Sequence, residues 1–370
     1  MQSPLFSRGV ETHLSNHRPH DRIKGLCNPG TLLKLPIVKT NSLSNPRFGI
    51  ATARAFALAT FAACAHSPAA PTPLTPSAHS APERRDADLQ AKLEALITGF
   101  KGDVGIYVHH LKTGATASIR ANEVFPTASM IKVPILVGTF DAIQKGQFTF
   151  QQNVTYHDSL RYQYDDSLSV PRAGAKISIA RLALQMITES NNTSSLWLQG
   201  LVGGANINAW LQQHGFDSTR VNSRVAGREA DRTKYGWGQT TPREMATLLV
   251  MVREGRAVNR GASEQMYRHL TRIYWNGEAL SQLPPYVQVA SKQGSVDRSR
   301  SEAVLVNAPS GDYVFAVITR NQEDTSYRDD NAGYVLIRRV SAFLWREFEP
   351  NHPFVPDSAA TRRFKPPEEP

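Results

Sequence analysis

The chain has 370 residues, and its hydrophobic share of 41% suits a globular protein with a substantial core rather than a collagen-like or disordered chain. Residues 1–64 contain eight Lys or Arg against two acidic residues, so most of the net charge of +10 lies in this segment. The small remainder is spread over about 300 residues, which excludes an extended basic surface, and we expect no nucleic-acid partner.

The first segment ends at Cys64 in a pattern typical of a bacterial lipoprotein signal. Arg47 and Arg54 precede a largely apolar run at 55–63, which fits the core of a signal peptide and is too short to span a bilayer. The letters FAAC resemble a lipobox, whose cysteine is lipidated after cleavage; the alternative is an ordinary signal peptide cut nearby. Because signal peptides begin at the N-terminus, we expect translation to start at a later codon and residues 1–64 to be a leader that is absent from the mature protein.

Cysteine usage limits the chemistry of the folded part. Cys27 and Cys64 are the only cysteines, and both lie in the leader. We therefore expect neither a disulfide framework nor a thiolate metal site in the mature protein. The sequence also has no His-Glu-x-x-His, no Gly-x-Ser-x-Gly and no Walker-type loop. We expect no metal and no cofactor.

Beyond Cys64 the composition divides the chain into three parts. Residues 65–88 are rich in Pro, Ala and Ser, which is typical of a tether. Residues 89–348 show helix and strand periodicities, and we expect one folded domain there. Residues 349–370 form a Pro-rich tail that we expect to be disordered.

The patterns within the domain predict an opening helix, two strands joined by a Gly turn, a helical block, three strands and a last helix. These elements fall near residues 89–100, 104–111, 114–120, 126–285, 286–294, 301–311, 312–320 and 333–348. Two strands before the helical block and three after it predict an α/β fold of the α+β sandwich kind. We expect one five-stranded antiparallel sheet built from both chain ends, with flanking helices and an inserted all-helical subdomain.

The stretch PTASMIKVPIL, residues 126–136, places Ser129 and Lys132 three positions apart at a predicted helix start. Three residues is nearly one helical turn, so the two side chains share a face. Burying a lysine is costly unless something compensates its charge. Either the pair is accidental, or the amine acts on the hydroxyl, beside which the helix N-terminus favours negative charge.

Two further polar clusters interrupt regular patterns. Ser190, Asn191 and Asn192 fall in the gap between two helical patterns, a position that is equally typical of a helix-capping loop. Lys292 and Gly294 lie on a predicted strand whose apolar alternation breaks into polar residues. The glycine indicates a close approach of the backbone to something, although a lysine on an edge strand is also common.

In this order, Ser-x-x-Lys, Ser-x-Asn and Lys-x-Gly resemble the motif set of the active-serine, penicillin-recognising family, and the match is to the class A β-lactamase type. The resemblance covers about residues 89–348. It implies a β-lactamase/transpeptidase-like fold and a serine hydrolase that forms an acyl-enzyme. These are expectations that the structure and the comparisons below address.

The resemblance implies catalytic roles for four residues. Ser129 is similar to the nucleophile, and Lys132 to the group that takes its proton, which requires a neutral amine. Ser190 matches the residue that relays a proton to the leaving nitrogen. Lys292 matches the residue that positions that proton and attracts the carboxylate of the substrate.

The resemblance also implies substrate-binding roles along the same cleft. Asn192 is expected to hold the side-chain amide of the substrate. Gln293 and Gly294 occupy the binding positions that follow the strand lysine, and Gln293 is able to donate to a carboxylate. The backbone N–H groups of Ser129 and Ser295 are expected to form the oxyanion hole.

The sequence departs from the class A pattern at three positions. Asn191 stands where an aspartate is usual, and Gln293 where a threonine is usual. The third departure concerns the glutamate that activates the deacylating water, because Ala226 stands at the corresponding position. Glu229 and Asp231 are the nearest carboxylates, neither is in register, and Glu229 is the candidate substitute base.

Three functions stay open at this point. The first is β-lactam hydrolysis, slow if no base is in register; the second is the same acyl-enzyme chemistry on peptidoglycan peptides or another ester or amide. The third is a non-catalytic envelope lipoprotein, which the intact catalytic set disfavours. We expect a small-molecule β-lactam or peptidoglycan-derived substrate and a monomer. We further expect a location in the cell envelope, periplasmic or secreted, with membrane contact only through the lipid anchor.

Overall fold

The structure, a computed structural model, describes residues 80–162 and 171–356. The predictions for the leader, for Cys64 and for most of the tether and tail concern residues outside this part. Among the described helices, none combines the length and the apolar character that a membrane crossing requires.

The described residues form both helices and strands, with most of the helices between β4 and β9. The strands are β1 (Arg84–Arg85), β2 (Asp103–His110), β3 (Ala115–Ile119), β4 (Phe125–Pro126), β5 (Asn153–Thr155), β6 (Lys176–Ser178), β7 (Arg220–Val221), β8 (Gly238–Thr240), β9 (Val289–Val296), β10 (Ser299–Val306) and β11 (Tyr313–Arg320). The α-helices are α1 (Ala87–Leu96), α2 (Lys132–Gln144), α3 (Ile179–Thr188), α4 (Asn192–Val202), α5 (Gly204–Gln213), α6 (Glu229–Tyr235), α7 (Pro242–Arg253), α8 (Arg260–Leu270) and α9 (Ala332–Phe348). Short 3-10 helices span Ala128–Ile131, Asp158–Leu160 and Ala279–Gln282.

The main sheet has the strand order β1-β3-β2-β11-β10-β9. From β3 to β9 every pairing is antiparallel, which confirms the predicted five-stranded antiparallel sheet drawn from both ends of the domain. A sixth strand, β1, pairs in parallel with β3 and lies in the segment predicted as tether. Its two residues are too few to show the alternation by which a strand is recognised in a sequence. At the other side of the sheet, β9 is an edge strand.

Both faces of the sheet are covered, which explains why the central strands are buried along almost their whole length. In β10, Val304 and Val306 belong to a core cluster shared with α1 and α9. Ala303 and Leu305, on the opposite face, belong to the cluster that includes α7 and the helices inserted between β3 and β9. The predicted helical subdomain is therefore packed against one face of the sheet, with α1 and α9 on the other.

The start of α7 fixes the segment that leads into β7. Thr241 caps this helix, because its side chain accepts from the backbone N–H of Glu244 at 3.1 Å. The Glu244 carboxylate accepts from the backbone N–H groups of Ser218 at 2.9 Å and Thr219 at 2.7 Å. These hydrogen bonds hold the residues just before β7 against α7. They therefore fix the point from which the chain enters β7 and the following loop, which carries α6.

Candidate active site

Ser129 lies in the 3-10 helix Ala128–Ile131, which runs directly into α2. The predicted helix start is in place, but neither Thr127 nor Ser129 caps it with a side-chain hydrogen bond, because the 3-10 turn precedes the α-helix. Ala128 has a φ of 45°, in the left-handed region that is strained for alanine. The chain therefore turns sharply just before Ser129.

Lys132 is the first residue of α2, and its side chain is fully buried. Its Nζ lies 2.9 Å from Ser129 Oγ, 2.7 Å from Asn192 Oδ1 and 3.0 Å from Ser190 Oγ. The carbonyl oxygen of Ser190 also accepts from Nζ, at 2.5 Å. These polar neighbours offset the cost of burying the amine, which is why an apolar helix start contains a lysine.

Ser190 joins the first motif to the other two. It lies between α3 and α4 with a φ of 60°, again in the left-handed region. Its Oγ is 3.0 Å from Lys132 Nζ and 3.0 Å from Lys292 Nζ. One hydroxyl therefore contacts two amines, and the three motifs recognised in the sequence meet in space.

Asn191 shows why the usual aspartate is replaceable at this position. It caps α4, and its Oδ1 accepts from the backbone N–H of Ser194 at 2.7 Å. An aspartate oxygen would make the same bond, so the substitution keeps the turn that presents Ser190 and Asn192.

Lys292 lies on β9 and is also fully buried. Its Nζ donates to the backbone oxygen and to Oε1 of Gln293, each at 3.0 Å. Burial lowers the pKa of Lys292 to about 7, against the opposing effect of the Glu302 and Glu278 carboxylates. Near neutral pH this lysine is therefore protonated in only part of the molecules.

Glu302 is a buried acid that the sequence analysis did not single out. It lies on β10 opposite Gln293 and is 1% exposed. Its Oε2 accepts from Ala279 N at 2.9 Å, whereas Oε1 has no hydrogen-bond partner within the described residues. Burial and, to a smaller extent, the Glu278 carboxylate raise the pKa of Glu302 to about 8. The signal in the sequence was a glutamate within the apolar strand SEAVLV.

Gly294 brings β9 against the turn that carries Ser129. A Cβ added at Gly294 would lie 2.6 Å from Thr127 O and 2.9 Å from Ala128 Cβ, distances that no side chain tolerates. This is the close approach predicted from the glycine. The next residue, Ser295, shares a 2.7 Å hydrogen bond between its Oγ and the hydroxyl of Tyr334 on α9. The main chain of β9 is therefore fixed beside Ser129.

The site opens into a cleft of about 1140 Å³ whose lining includes Ser129, Asn192 and Ser295. One wall is formed by the C-terminal part of α6 and the residues up to Trp237, and the other by the β9–β10 turn. The rings of Tyr162 and Trp237 pack edge to face in this cleft, with 5.3 Å between their centroids. Neither was found from the sequence, because a single aromatic residue outside a periodic pattern carries no signal of its surroundings.

The structure does not bring Glu229, the candidate deacylation base, to Ser129. Glu229 is exposed at the start of α6, and its Oε1 accepts from the backbone N–H of Gly227 at 3.2 Å. Asp231 is engaged in an ion pair with Arg228 at 2.7 Å. The stretch of this loop that lines the cleft is 232–237, beyond both carboxylates.

This arrangement suits nucleophilic acyl transfer. A hydroxyl with a buried amine 2.9 Å away has a group that can take its proton, and a second hydroxyl between two amines can pass a proton on. Within residues 80–162 and 171–356, no three His, Cys, Asp or Glu side chains group closely enough to hold a metal ion.

Comparisons with known proteins agree with this site. A family model described as "Beta-lactamase enzyme family" matches residues 88–348. Beta-lactamase VEB-1 from Pseudomonas aeruginosa is 21% identical over 276 residues, which cover 70% of this chain and 90% of that protein. A beta-lactamase from Streptomyces fradiae is 28% identical over 206 residues, which cover 53% of this chain and 64% of that protein.

Solved structures share the fold. PBP-A superposes with a TM-score of 0.65 at 27% identity, over 73% of this chain and 99% of that chain. A point mutant of PBP-A has been solved as an acyl-enzyme complex with penicillin G and gives the same similarity. A beta-lactamase from Sphaerobacter thermophilus has a TM-score of 0.64 at 21% identity, over 72% and 100% of the two chains. At that identity the likeness concerns the fold alone.

The electrostatic effect of Glu302 on Lys292 generates a prediction. In the molecules in which Glu302 is ionised, its negative charge favours the protonated amine. Glu302→Gln removes this contribution, so the pKa of Lys292 should fall below about 7. The measurement is an NMR titration of the protein labelled with ¹³C at the lysine Cε. Glu347→Gln on α9, which removes a partner of Lys92, is the control and should leave the titration of Lys292 in place. An unchanged or higher pKa in Glu302→Gln would show that Glu302 does not act on Lys292.

Proposed function

The chain belongs to the beta-lactamase enzyme family, and we propose that it hydrolyses β-lactams through an acyl-enzyme formed at Ser129. The observation that carries this proposal is the 2.9 Å contact between the Ser129 hydroxyl and the buried Lys132 amine. Family membership supports an enzyme of the class A beta-lactamase type. The roles of individual residues are proposed from their contacts.

Lys132 is the proposed general base for acylation. The backbone oxygen of Ser190 and the side-chain Oδ1 of Asn192 each accept from its Nζ, at 2.5 and 2.7 Å. A neutral amine has two N–H groups, which can serve these two acceptors, and a lone pair, which can take the proton of the Ser129 hydroxyl. The contacts are therefore compatible with the neutral form, which is the form that a base requires.

Ser190 is the proposed relay to the leaving nitrogen. Its hydroxyl contacts the amines of Lys132 and Lys292, each at 3.0 Å. A proton taken by Lys132 from Ser129 passes to Ser190 Oγ as the Ser190 proton moves to the β-lactam nitrogen, so that opening of the ring leaves no charge on that nitrogen. Lys292, when protonated, attracts the substrate carboxylate.

The binding roles follow from the donor groups that these side chains offer. Asn192 lines the cleft with Oδ1 on Lys132, and its NH₂ is the donor proposed for the amide carbonyl of the substrate side chain. Gln293 presents Oε1 to Lys292, and its NH₂ is the donor proposed for the substrate carboxylate. The backbone N–H groups of Ser129 and Ser295 are the proposed oxyanion hole, since the tight packing at Gly294 fixes both segments together.

Deacylation is the step at which we propose that this enzyme is slow. The cleft lining contains no carboxylate from the α6 loop within the described residues, and the Glu229 carboxylate is bound to its own loop. Water near the ester would then lack a positioned base. The same observation favours a second candidate function, acyl transfer from a peptidoglycan peptide or ester, for which β-lactams act as long-lived acylating inhibitors.

We propose a location in the cell envelope, with Cys64 as a lipid attachment point. This proposal rests on the signal-like run before Cys64 and the lipobox-like FAAC.

Ser129→Ala should abolish covalent labelling by penicillin, because no other nucleophile replaces the hydroxyl. Lys132→Ala should slow acylation by about 10²–10⁴-fold through loss of the general base. Intact-protein mass spectrometry after timed exposure to penicillin measures both effects. Lys145→Ala, at the exposed C-terminal end of the same helix, is the matched control and should acylate at the wild-type rate. If Ser129→Ala formed the penicilloyl adduct as fast as the wild type, Ser129 would not be the nucleophile.

The deacylation proposal is tested with Glu229→Gln and Asp231→Asn. Because neither carboxylate lines the cleft, both variants should lose the penicilloyl group as slowly as the wild type. Decay of the trapped adduct, followed by mass spectrometry, supplies the rate. If the wild type deacylates fast and one variant stalls by about 10²-fold or more, the loop does supply a base and the efficient-hydrolase interpretation replaces ours.

The anchor proposal predicts that the protein incorporates a fatty-acid probe when a bacterium expresses it from the later start codon, with the signal-like run at 55–63 near its N-terminus. Cys64→Ser should remove this labelling, because the thiol is the attachment point. Ser67→Ala, three positions beyond this cysteine, is the control and should label like the wild type. Equal labelling of wild type and Cys64→Ser would exclude lipidation at this cysteine.

A further inference from the structure

The walls of the cleft carry an excess of positive charge that the proposed chemistry does not use. Arg232 and Lys234 come from α6, Arg298 from the β9–β10 turn and Arg320 from the end of β11. Asp297 is the only acid in the described lining. Charges of one sign concentrated in a cleft select and attract ligands of the opposite sign.

Arg320 does not contribute to this excess, because its charge is already compensated. Its guanidinium donates to Asp103 at 3.0 Å and to Glu123 at 2.8 Å. Arg232, Lys234 and Arg298 differ from it, since none of the three forms an ion pair within the described part of the chain. All three side chains are exposed to solvent.

Arg298 is held in place by neutral partners. Its Nε donates to Gln322 O and its Nη2 to Asn321 O, each at 2.9 Å. The backbone oxygens fix the guanidinium without cancelling its charge, and Nη1 makes no hydrogen bond to the described residues. A fixed guanidinium with an unused N–H edge is suited to a carboxylate.

These cations are distinct from the proposed partners of the substrate's own carboxylate. Those partners are Lys292 and Gln293, and neither belongs to the cleft lining that contains the three cations. Asn192, the proposed partner of the side-chain amide, does belong to that lining. The cations therefore share the cleft with the group that is proposed to hold the acyl side chain of the substrate.

We propose that this cleft binds a second anionic group, and that the preferred acylating substrates carry a carboxylate on the acyl side chain. The proposal rests on the proposed function, since it presumes that Ser129 is acylated. Such a side chain belongs equally to a β-lactam and to a peptidoglycan-derived peptide, and the chemistry that recognises it is the same.

The test compares benzylpenicillin with its α-carboxy derivative, two penicillins that differ by one carboxylate. We expect the carboxylated compound to acylate Ser129 faster, on the order of tenfold at low salt, through electrostatic attraction. The advantage should vanish at about 1 M salt, where the Debye length falls to about 3 Å. A matching pair of peptide thioesters, with and without a side-chain carboxylate, supplies the second arm. The acylation rate is read from intact-protein mass spectrometry.

Substitutions of the cations test whether they cause the preference for the carboxylated compound. In Arg298→Gln and in the double variant Arg232→Gln/Lys234→Gln, the ratio of the two rates should fall toward one. Arg84→Gln, on β1 at the opposite edge of the sheet, removes the same charge far from the cleft and should keep the ratio.

The outcomes separate this inference from the function on which it rests. Acylation by both members of each pair at equal rates overturns the second anion site and leaves the acyl-enzyme intact. No acylation by any compound refutes the proposed function itself. A preference seen only with the thioesters supports the anion site and assigns it to peptide-derived substrates, whereas a preference among penicillins assigns it to β-lactams.

Discussion

The packing of this structure depends on two fully buried lysines that contact one serine hydroxyl. Lys132 comes from the helical subdomain and Lys292 from the sheet, and both reach Ser190 Oγ at 3.0 Å. A buried amine is tolerated only where polar atoms surround it closely. The helical subdomain and the edge strand must therefore meet with little freedom, which the packing of Gly294 on Thr127 and the left-handed backbone at Ala128 and Ser190 achieve.

The sequence predicted the parts of the site whose chemistry leaves a local trace. Ser129, Lys132, Ser190 and Lys292 are polar residues in apolar or helix-forming contexts, and their order along the chain identified the family. The sheet followed from alternation within each strand, and its closure by both chain ends from the count of strands before and after the helices. Each of these inferences depends on the order and spacing of residues along the chain, which can be read from one sequence.

What the sequence did not predict depends on contacts between distant segments. The influence of Glu302 on Lys292 arises because β10 pairs with β9 in one particular register. The position of α6, which leaves Glu229 outside the cleft and brings Arg232 into it, depends on how a seven-residue helix sits on its loop. The pairing of Arg84–Arg85 with β3 is too short for any periodic signal.

Lys292 and Glu302 are both buried, and burial shifts their pKa values in opposite directions, lowering that of the amine and raising that of the acid. Each shift favours the neutral form of its group. An anion that binds beside Lys292 stabilises the charged amine, so anion capture and proton uptake by this lysine are linked. The site therefore attracts an anion most strongly when Lys292 is protonated, at a pH below its pKa of about 7.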